Sequence, residues 1–444
     1  QVTGRMSNLL VPVDMNAVNN FLRGGSQVPW SLWIIPMVMW FLFFSAFFLL
    51  QLSIATMIRK RWTEIEHLSY PLTLPIYSMM AEEEGKGYVF WKDRLVWLGA
   101  IIPIVIYSLT SLHKYFPVLP EVNLMYDLKK HFIDEPWKTV AETTLMALDL
   151  NPLYVGIAYL LPLDLLFSFW FFRWVHYIQF AILASLLPFN VFFNWTGQPS
   201  EFIAGLSVVA LVHLWMARGD FVYIIKRGIS KEHDPRFNES NEPLSYKTAF
   251  WLFVICFIFL TYFYGVLMDG SIWFSIMVLL SFCVTAFAWA RVRTEAGLPQ
   301  TQAGTWFNTV AVTQSSGRYH EAVLLAGLGE YVVDYGAIGC QAGIALEYYM
   351  LGDKSNVSRK SVTKAMLISY TIAVVLFLPL ALKAYYSQGA YSINRGLVAF
   401  SSYDYHQTYI NTRGSTPNAA SYVMGSISFV VTLILYVLRL KFVW

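Results

Sequence analysis

The fold class follows from residues 30–61, which read WSLWIIPMVMWFLFFSAFFLLQLSIATMIRKR. The part from Ser31 to Gln51 exceeds the roughly 18 apolar residues that mark a membrane-spanning helix. The stretch ends in Arg59, Lys60 and Arg61, and cations of this kind accumulate on the cytoplasmic side of membrane proteins. These residues therefore predict a transmembrane helix whose C-terminal end lies inside the cell.

Similar apolar stretches recur along the chain and give nine candidate spans. They are 30–58, 95–112, 152–172, 177–195, 200–217, 249–268, 271–290, 365–382 and 418–438. With Arg61 inside and the sides alternating, 22 of the 31 Lys and Arg residues fall on inner segments. This bias follows the positive-inside rule. We expect an all-α, polytopic transmembrane helical bundle of about nine spans, with the lipid bilayer as a partner.

Composition excludes several classes of protein. Only 13% of the residues are charged and 57% are hydrophobic, whereas soluble domains carry about 25% charged residues. The net charge of +3 and the lack of a dense basic run indicate no nucleic-acid binding. The chain holds no hydrolase elbow, phosphate loop, zinc-protease or haem-attachment motif. We therefore expect no enzyme, no cofactor and no metal site.

The charge pattern divides the chain into four segments. Residues 1–29 are expected outside, 30–293 form a first bundle, 294–351 are Gly-rich, and 352–444 hold the last spans. The outer loops at 113–150 and 384–416 are long, which predicts that they fold and meet as a cap. Because the chain starts at Gln1 and stops in an apolar run, we expect a fragment of a longer polytopic protein.

The segment 294–351 begins and ends on the inner side, so it contains either no crossing or two. Between Gly327 and Gly343 it carries five glycines and two carboxylates, Glu330 and Asp334. Gly weakens a helix interior by about 1 kcal/mol relative to Ala, which favours a broken or re-entrant helix pair. Such helices build the substrate sites of secondary transporters. Two close-packed helices with small residues at their interface are the alternative.

Asp164 is the sharpest single candidate for chemistry. It lies near the middle of the predicted span 152–172, where a carboxylate costs about 2.5–3.5 kcal/mol. Pro162, two residues earlier, frees a backbone carbonyl to accept a bond or an ion. We predict that Asp164 lines an internal cavity facing Glu330 or Asp334, with at least one carboxyl protonated. The alternative is a structural ion pair or a cap of a helix break.

A second set of candidates lies at the inner end of the span 271–290. Arg291 and Arg293 could hold a carboxylate or phosphate through paired hydrogen bonds, with Glu295 beside them. The alternative is that they anchor the helix at the cytoplasmic interface. His213 in the span 200–217 is a further candidate for the substrate or ion pathway, although a single histidine there is more often a hydrogen-bonded structural residue.

Two inner span ends also resemble each other. The first span ends in Arg61-Trp62-Thr63-Glu64 and is followed by a Leu-Pro pair at Leu74-Pro75. The span 271–290 ends in Arg291-Val292-Arg293-Thr294-Glu295 and is followed by Leu298-Pro299. Repeated halves are common in transporters, but matches this short also arise by chance.

Three motifs resemble those of an uncharacterised family of prokaryotic polytopic membrane proteins that is distantly similar to the OPT (oligopeptide) transporters. They are RWTEIEHLSYPL at 61–72, AYLLPLD at 158–164 with SFWFF at 168–172, and RVRTEAGLP at 291–299. The resemblance implies a multi-pass protein of the prokaryotic cytoplasmic membrane. The intramembrane carboxylates and the broken Gly-rich region favour a secondary transporter of a small solute coupled to H+ or another cation. Fold-level analogy with the OPT transporters adds a peptide-like solute or a metal chelate as the candidate substrate.

Two classes of function stay open on the sequence. The first is the secondary transporter, with a small-molecule or ion substrate. The second is a non-transporting integral membrane subunit of a homo-oligomer or larger membrane assembly, which the 17% aromatic content fits. Convergence of the buried carboxylates on one cavity would favour transport, whereas scattered pairing with Arg or Lys would favour a subunit.

Overall fold

A computed structural model shows a helical protein. It describes residues 7, 9–81, 89–143, 147–186, 197–230, 239–268, 272–298, 340–393 and 419–441. In this part of the chain there are fifteen α-helices and one sheet of two three-residue strands. The expected all-α class is therefore confirmed.

Helices account for most of the described residues. The helices are α1 Met15–Arg23, α2 Trp30–Lys60, α3 Thr73–Met80, α4 Val89–Lys92, α5 Arg94–His113, α6 Trp137–Thr143, α7 Pro152–Leu160, α8 Leu163–Leu186, α9 Gly197–Met216, α10 Arg218–Ile229, α11 Tyr246–Tyr262, α12 Ile272–Ala296, α13 Gln341–Lys354, α14 Arg359–Gln388 and α15 Ala419–Lys441. Strands β1 Met125–Asp127 and β2 Ala147–Asp149 flank a 3-10 helix, Leu128–His131, and α6. Two π-helical turns, Arg61–Ile65 and Phe263–Leu267, extend α2 and α11.

The chain separates into two compact units. Unit 1 holds Gln1–Leu68, Thr196–Arg293 and Gln300–Trp444, and unit 2 holds Ser69–Trp195 and Thr294–Pro299. These two units are defined by spatial contacts. The four segments predicted from the sequence were defined by the candidate spans, and their boundaries at 29, 293 and 351 stay predictions. Residues 299–339, with Glu330 and Asp334, lie outside the described part of the chain.

Within the described residues, five helices are long and apolar enough to cross a membrane. They are Trp30–Ile65, Arg94–His113, Tyr246–Leu267, Ser275–Ala296 and Arg359–Gln388, and a bent pair, Ala204–Met216 with Arg218–Ile229, can count as a sixth. These match six of the nine predicted spans. The predicted span 418–438 corresponds to α15, whose apolar part Gly425–Arg439 is shorter.

The predicted pair of spans with an inner turn at Arg173 is wrong in its boundaries. Helix α8 runs without interruption from Leu163 to Leu186, and the break lies earlier, at Leu161 and Pro162. Arg173 remains inside the helix because its Nε donates to Tyr177 Oη at 2.8 Å, one turn further along. The guanidinium also lies 4.7 Å from the Tyr177 ring centroid, so the charge is accommodated without a turn.

Two sets of contacts within unit 2 hold the two parts of α8. Its start adjoins Leu161, which lies close to Gly297 and Pro71, in the segments that follow the inner ends of α12 and α2. Further along α8, a buried cluster joins the helix to the outer segment. The cluster is Val140, Ala141, Tyr177, Phe180 and Ala181. The break between helices therefore lies at Leu161 and Pro162, about a dozen residues before the predicted turn at Arg173.

Aromatic side chains form the core of unit 1. Phe43 and Phe47 lie one helical turn apart on α2, so both face the same side. The Phe43 ring lies 4.5 Å from Phe263, and the Phe47 ring lies 5.0 Å from Phe282. Phe263 follows the end of α11 and Phe282 lies in the middle of α12. The aromatic contacts therefore pack α2 against both helices.

The predicted outer loops are described unequally. Residues 113–143 and 147–150 are folded, because β1 and β2 pair antiparallel and α6 packs on α8. Most of 384–416 lies outside the described residues, so the predicted meeting of the two loops stays a prediction.

The N-terminal segment folds against the far end of α14. Gly24 and Gly389 have φ angles of +78° and +86°, and a Cβ on Gly24 would lie 2.3 Å from the Gly389 nitrogen. Only glycines allow two backbones to pass this closely. The Tyr386 hydroxyl donates to the Ala17 carbonyl at 2.9 Å and accepts from Trp33 Nε1 at 2.8 Å. Residues 17–33 are thus fixed at the end of α14 opposite Arg359.

Candidate functional site

The inner end of α2 changes from α-helix to π-helix. Over Arg61–Ile65 the backbone bonds span five residues, as in the 2.8 Å bond from Glu66 N–H to the Arg61 carbonyl. His67 and Tyr70 then adopt φ angles of 50° and 47°, which stop the helix. Single π-helical turns occur frequently at functional sites. Here the turn brings the carboxylates of Glu64 and Glu66 back toward arginines of the same helix end.

Arg59 is the most buried charge of this region. Its side chain is 0% exposed and its main partner, Glu242 in the loop before α11, is 2% exposed. Arg59 Nε and Nη2 donate to the two Glu242 oxygens at 2.7 and 2.5 Å. Nη2 also donates to Glu64 Oε1 at 2.9 Å. The bonds are parallel and charge-assisted, the strongest class of side-chain hydrogen bond.

The inner end of α12 supplies two further arginines. Arg291 donates to Glu66 Oε2, and its guanidinium lies 5.4 Å from the ring centroid of buried Trp62. Glu66 also accepts from Arg61 at 2.7 Å. Arg61 in turn reaches α10, where its Nη1 donates to Asp220 at 2.9 Å. Glu66 thus joins the ends of α2 and α12.

Arg293, two residues further along, contacts a different element. Its Nε and Nη2 donate to both oxygens of Glu347 on α13, each at 2.9 Å. Burial raises the pKa of the Glu347 carboxyl above its ordinary value, and the bonds from Arg293 oppose that rise. The carboxyl therefore gains a proton at higher pH than an exposed glutamate does.

Together these charges form one region of unit 1, which we name the inner charge cluster. Its members in the described part of the chain are Arg59, Arg61, Glu64, Glu66, Asp220, Glu242, Arg291, Arg293, Glu347, Asp353 and Arg359. Arg359, at the start of α14, donates to Asp353 on α13 at 2.7 and 3.0 Å, and this ion pair holds the two helices together.

The start of α13 forms a second polar region, deeper along α2. The Ala342 N–H donates to Gln51 Oε1 at 3.2 Å, and Gln51 is fully buried. Cys340 precedes the helix and makes no side-chain cap to it. Further along α13, the Tyr349 hydroxyl lies 3.0 Å from Thr363 Oγ1, and burial raises its pKa to about 12. Helix α13 is therefore held by polar contacts along its length.

The predicted site residues lie in different parts of the structure. Arg291 and Arg293 lie in the inner charge cluster, whereas Glu295 lies in the short segment of unit 2, where its carbonyl accepts from Ser69 Oγ at 3.1 Å. His213 is buried, with Nε2 2.6 Å from the Tyr436 hydroxyl, so it joins α9 to α15. This contact matches the hydrogen-bonded structural alternative for His213.

Asp164 does not lie in a buried cavity within unit 2. It lies in the first turn of α8, directly after the break, and its side chain is exposed. The backbone carbonyl that Pro162 was predicted to free is that of Ala158, and it accepts from the Leu161 N–H at 3.1 Å. The predicted approach of Asp164 to Glu330 or Asp334 involves residues outside the described part of the chain. Its position fits the alternative of a residue at a helix break.

Several cluster members were not predicted. Glu347 is a single carboxylate in the apolar run IALEYYML, the same signal that identified Asp164, and sequence reasoning missed it. Glu242 gave no such signal, because its loop is highly charged and resembles a solvated cytoplasmic loop. Its burial depends on the approach of Arg59, 183 residues earlier in the chain.

Comparisons with known proteins place the whole chain in one family. No curated protein and no solved structure shows significant similarity to it. The long apolar helices fit an integral membrane protein. A profile described as a family of unknown function, DUF6785, matches residues 3–444. The chain therefore belongs to the DUF6785 family.

Proposed function

We propose that the protein is a secondary transporter that moves a small solute together with H+ or another cation. The observation that carries this proposal is the short helix α13, which begins beside Gln51 inside the core of unit 1. The resemblance to OPT transporters favours a peptide-like solute or a metal chelate and a prokaryotic cytoplasmic membrane.

The depth of the α13 start follows from helix geometry. Gln51 lies nine residues before Lys60, which is about 14 Å along the axis of α2 at 1.5 Å per residue. Helix α13 has 14 residues and is therefore about 21 Å long, shorter than the roughly 30 Å hydrocarbon layer. Its C-terminal end is held in the inner charge cluster by Asp353. The start of α13 is then within the membrane layer.

A helix that starts within the membrane supports transport for a physical reason. Its first N–H groups carry partial positive charge and lack partners within the helix. Transporters place such helix starts near the bilayer midplane, where they bind the anionic groups of substrates. A peptide-like solute carries a carboxylate of this kind. Gln51 accepts from one of these N–H groups, that of Ala342.

Among the described carboxylates, Glu347 is the best candidate for proton coupling. It lies on α13, is buried, and contacts Arg293 on α12. Protonation would neutralise Glu347 and weaken its bonds to Arg293, so α13 would be held less firmly to α12. Because burial raises its pKa, this change falls at higher pH than for an exposed glutamate.

Reconstitution of the full chain in proteoliposomes tests the proposal. A pH-sensitive dye inside reports proton entry while mixtures of di- and tripeptides or of metal chelates are added outside under an inward proton gradient. We expect faster acidification with solute than without. Absence of solute-driven proton entry, together with absence of solute uptake under Na+ or K+ gradients, would contradict transport of these classes.

Two carboxyl variants locate the coupling group. Glu347→Gln is expected to assemble normally and to lose the pH dependence of uptake, because Gln cannot gain or lose a proton. Glu121→Gln removes an exposed carboxylate of the outer segment and is expected to change nothing. Asp164→Asn belongs in the same series, since the sequence prediction expects loss of pH dependence in that variant.

The second candidate function is a non-transporting membrane subunit. Helix α5 supports it, since none of its 20 residues is buried, so its apolar surface is covered by lipid or by another protein. Purification from the native membrane with mass spectrometry of co-purifying molecules distinguishes the two. A stoichiometric partner protein without solute uptake would favour the subunit.

A further inference from the structure

Helix α10 leaves the end of a candidate span at a steep angle. It is bent by 69° from Ala204–Met216 of α9, with a single residue, Ala217, between the two helices. A helix that turns this far from a membrane-crossing axis runs close to the membrane plane. Asp220 of α10 binds Arg61, directly after α2, so α10 lies at the inner ends of the helices of unit 1.

One side of α10 is firmly attached to the rest of unit 1. Ile224 and Gly228 are buried, and the Gly228 carbonyl accepts from Trp251 Nε1 at 3.0 Å. A Cβ on Gly228 would lie 2.3 Å from the Phe250 ring, so this glycine allows close contact with α11. Arg227 also donates to Glu239 at 2.9 Å. These contacts fix the rotation of α10 about its axis.

The other side of α10 is apolar and exposed. Val222, Ile225 and Ile229 are 51%, 46% and 75% exposed. Their spacing of three and four residues places them in one stripe along the helix. Trp215, at the end of α9, is 69% exposed beside this stripe, and tryptophan favours the headgroup layer of membranes.

Basic side chains flank the apolar stripe. Arg218 and Lys226 are exposed, and neither forms an ion pair with another residue in the described part of the chain. The Arg218 guanidinium lies 4.7 Å from the Trp215 ring centroid and donates to the Trp215 carbonyl. The acidic residue of the helix, Asp220, is already paired with Arg61. The exposed side of α10 therefore carries positive charge beside apolar surface.

We propose that α10 is an interfacial helix that binds anionic phospholipid headgroups of the inner leaflet through Arg218 and Lys226. Val222, Ile225 and Ile229 then lie among the upper acyl chains, where their exposed apolar surface is removed from water. The charge of the stripe matches an anionic lipid surface, and the bend places the helix at that surface. This lipid contact does not depend on whether the protein transports a solute.

Mass spectrometry of the full chain in lipid nanodiscs tests the headgroup contact. The discs contain phosphatidylcholine with about one-third phosphatidylglycerol, an anionic lipid. The preference of the retained lipid for phosphatidylglycerol is expected to fall about fivefold for Lys226→Gln and further for the double variant with Arg218→Gln. The matched control, Lys129→Gln with Lys130→Gln, removes two exposed charges of the outer segment. Equal preference in the double variant and the control overturns the proposal.

A spin label at Ile225→Cys tests the depth without altering a charge. The background replaces Cys256, Cys283 and Cys340 with alanine, and the label is compared for access to oxygen and to a water-soluble nickel complex. We expect oxygen access and protection from nickel in the discs. Free nickel access overturns the proposal. Protection of the label from nickel in detergent, together with a particle mass twice that of one chain, also overturns the proposal. In that case a second copy of the protein covers the apolar stripe.

Discussion

The inner ends of α2 and α12 carry similar sequence but are held in different ways. Both end in arginines and a glutamate. The end of α2 passes into a π-helical turn and buries Arg59 against Glu242, with no side-chain exposure on the arginine. The end of α12 stays α-helical, and Arg291 and Arg293 bind two different partners, Glu66 and Glu347.

The difference shows that burial of the partner, rather than the local sequence, sets the role of each arginine. Arg59 and Glu242 have lost their water, so loss of one leaves an uncompensated buried charge. Arg293 and Glu347 keep slight exposure, at 12% and 10%, and join α12 to the short helix α13. We therefore regard the end of α2 as a fixed anchor and the end of α12 as the connection that transport would loosen.

The largest expected effect is at the anchor. Arg59→Met should destabilise the protein by about 3–5 kcal/mol, because Glu242 stays buried without its cation. Thermal unfolding in detergent, followed by the loss of soluble monodisperse protein, measures the change. Adding Glu242→Gln to Arg59→Met should recover part of the loss, since the two residues are in contact. Additive losses in that double variant would show that the pair is not coupled.

A smaller loss is expected at the connection. Arg293→Gln should cost about 2–3 kcal/mol, the range for hydrogen bonds to a charged partner. The cost should shrink as the pH falls, because Glu347 has a raised pKa and needs no cation once protonated. Unfolding measured across a pH series checks this. A loss that is as large as that of Arg59→Met and independent of pH would remove the distinction between the two ends.

The segment after α12 gives a third test. Gly297 has φ of +68°, and a Cβ there would lie 3.0–3.1 Å from Pro71 and Leu161. Gly297→Ala should therefore cost about 1–2 kcal/mol. Gly99→Ala in α5, where nothing lies within 4 Å of the added Cβ, is the control and should be neutral or stabilising. Equal effects of the two variants would indicate that the turn after α12 is not constrained.

The smallest effect is expected at the rim of the inner charge cluster. Arg359 and Asp353 are 17% and 27% exposed, so water already screens their attraction. Arg359→Gln should cost about 0.5–1 kcal/mol. The loss should decrease further in high salt, which unfolding in increasing NaCl measures. A loss of several kcal/mol here would place the anchor at the start of α14 instead of at the end of α2.

Residue type and order predicted much of the helical architecture. Long apolar runs placed α2, α5, α11, α12 and α14 because such runs can satisfy their backbone only as helices in lipid. The error at Arg173 arose because a charge was assumed to mark a turn. Tyr177, one turn further along, contacts the Arg173 guanidinium within the helix. A topology prediction that only counts charges takes no account of such a partner.

The candidate site was predicted only in part, for a related reason. Arg291 and Arg293 stand beside the end of a span and could be identified from position. Their partners Glu66 and Glu347 lie 225 residues before and 54 residues after them, and sequence spacing does not indicate such pairs. The predicted partners of Asp164, Glu330 and Asp334, lie outside the described residues, so their approach to Asp164 stays a prediction.

The close crossing of Gly24 and Gly389 has a consequence for how the chain is made. Residues 17–33 obtain their partners from Tyr386 and Gly389, which are synthesised more than 350 residues later. At about 5–20 residues per second, the N-terminal segment emerges roughly 20–70 s before its binding surface exists. During that interval Trp33 and Phe21 lack their aromatic neighbours on α14. A nascent chain arrested before residue 380 should therefore expose its N-terminal segment to protease or to chaperones. Once the full chain is released from the ribosome, the segment should become protected.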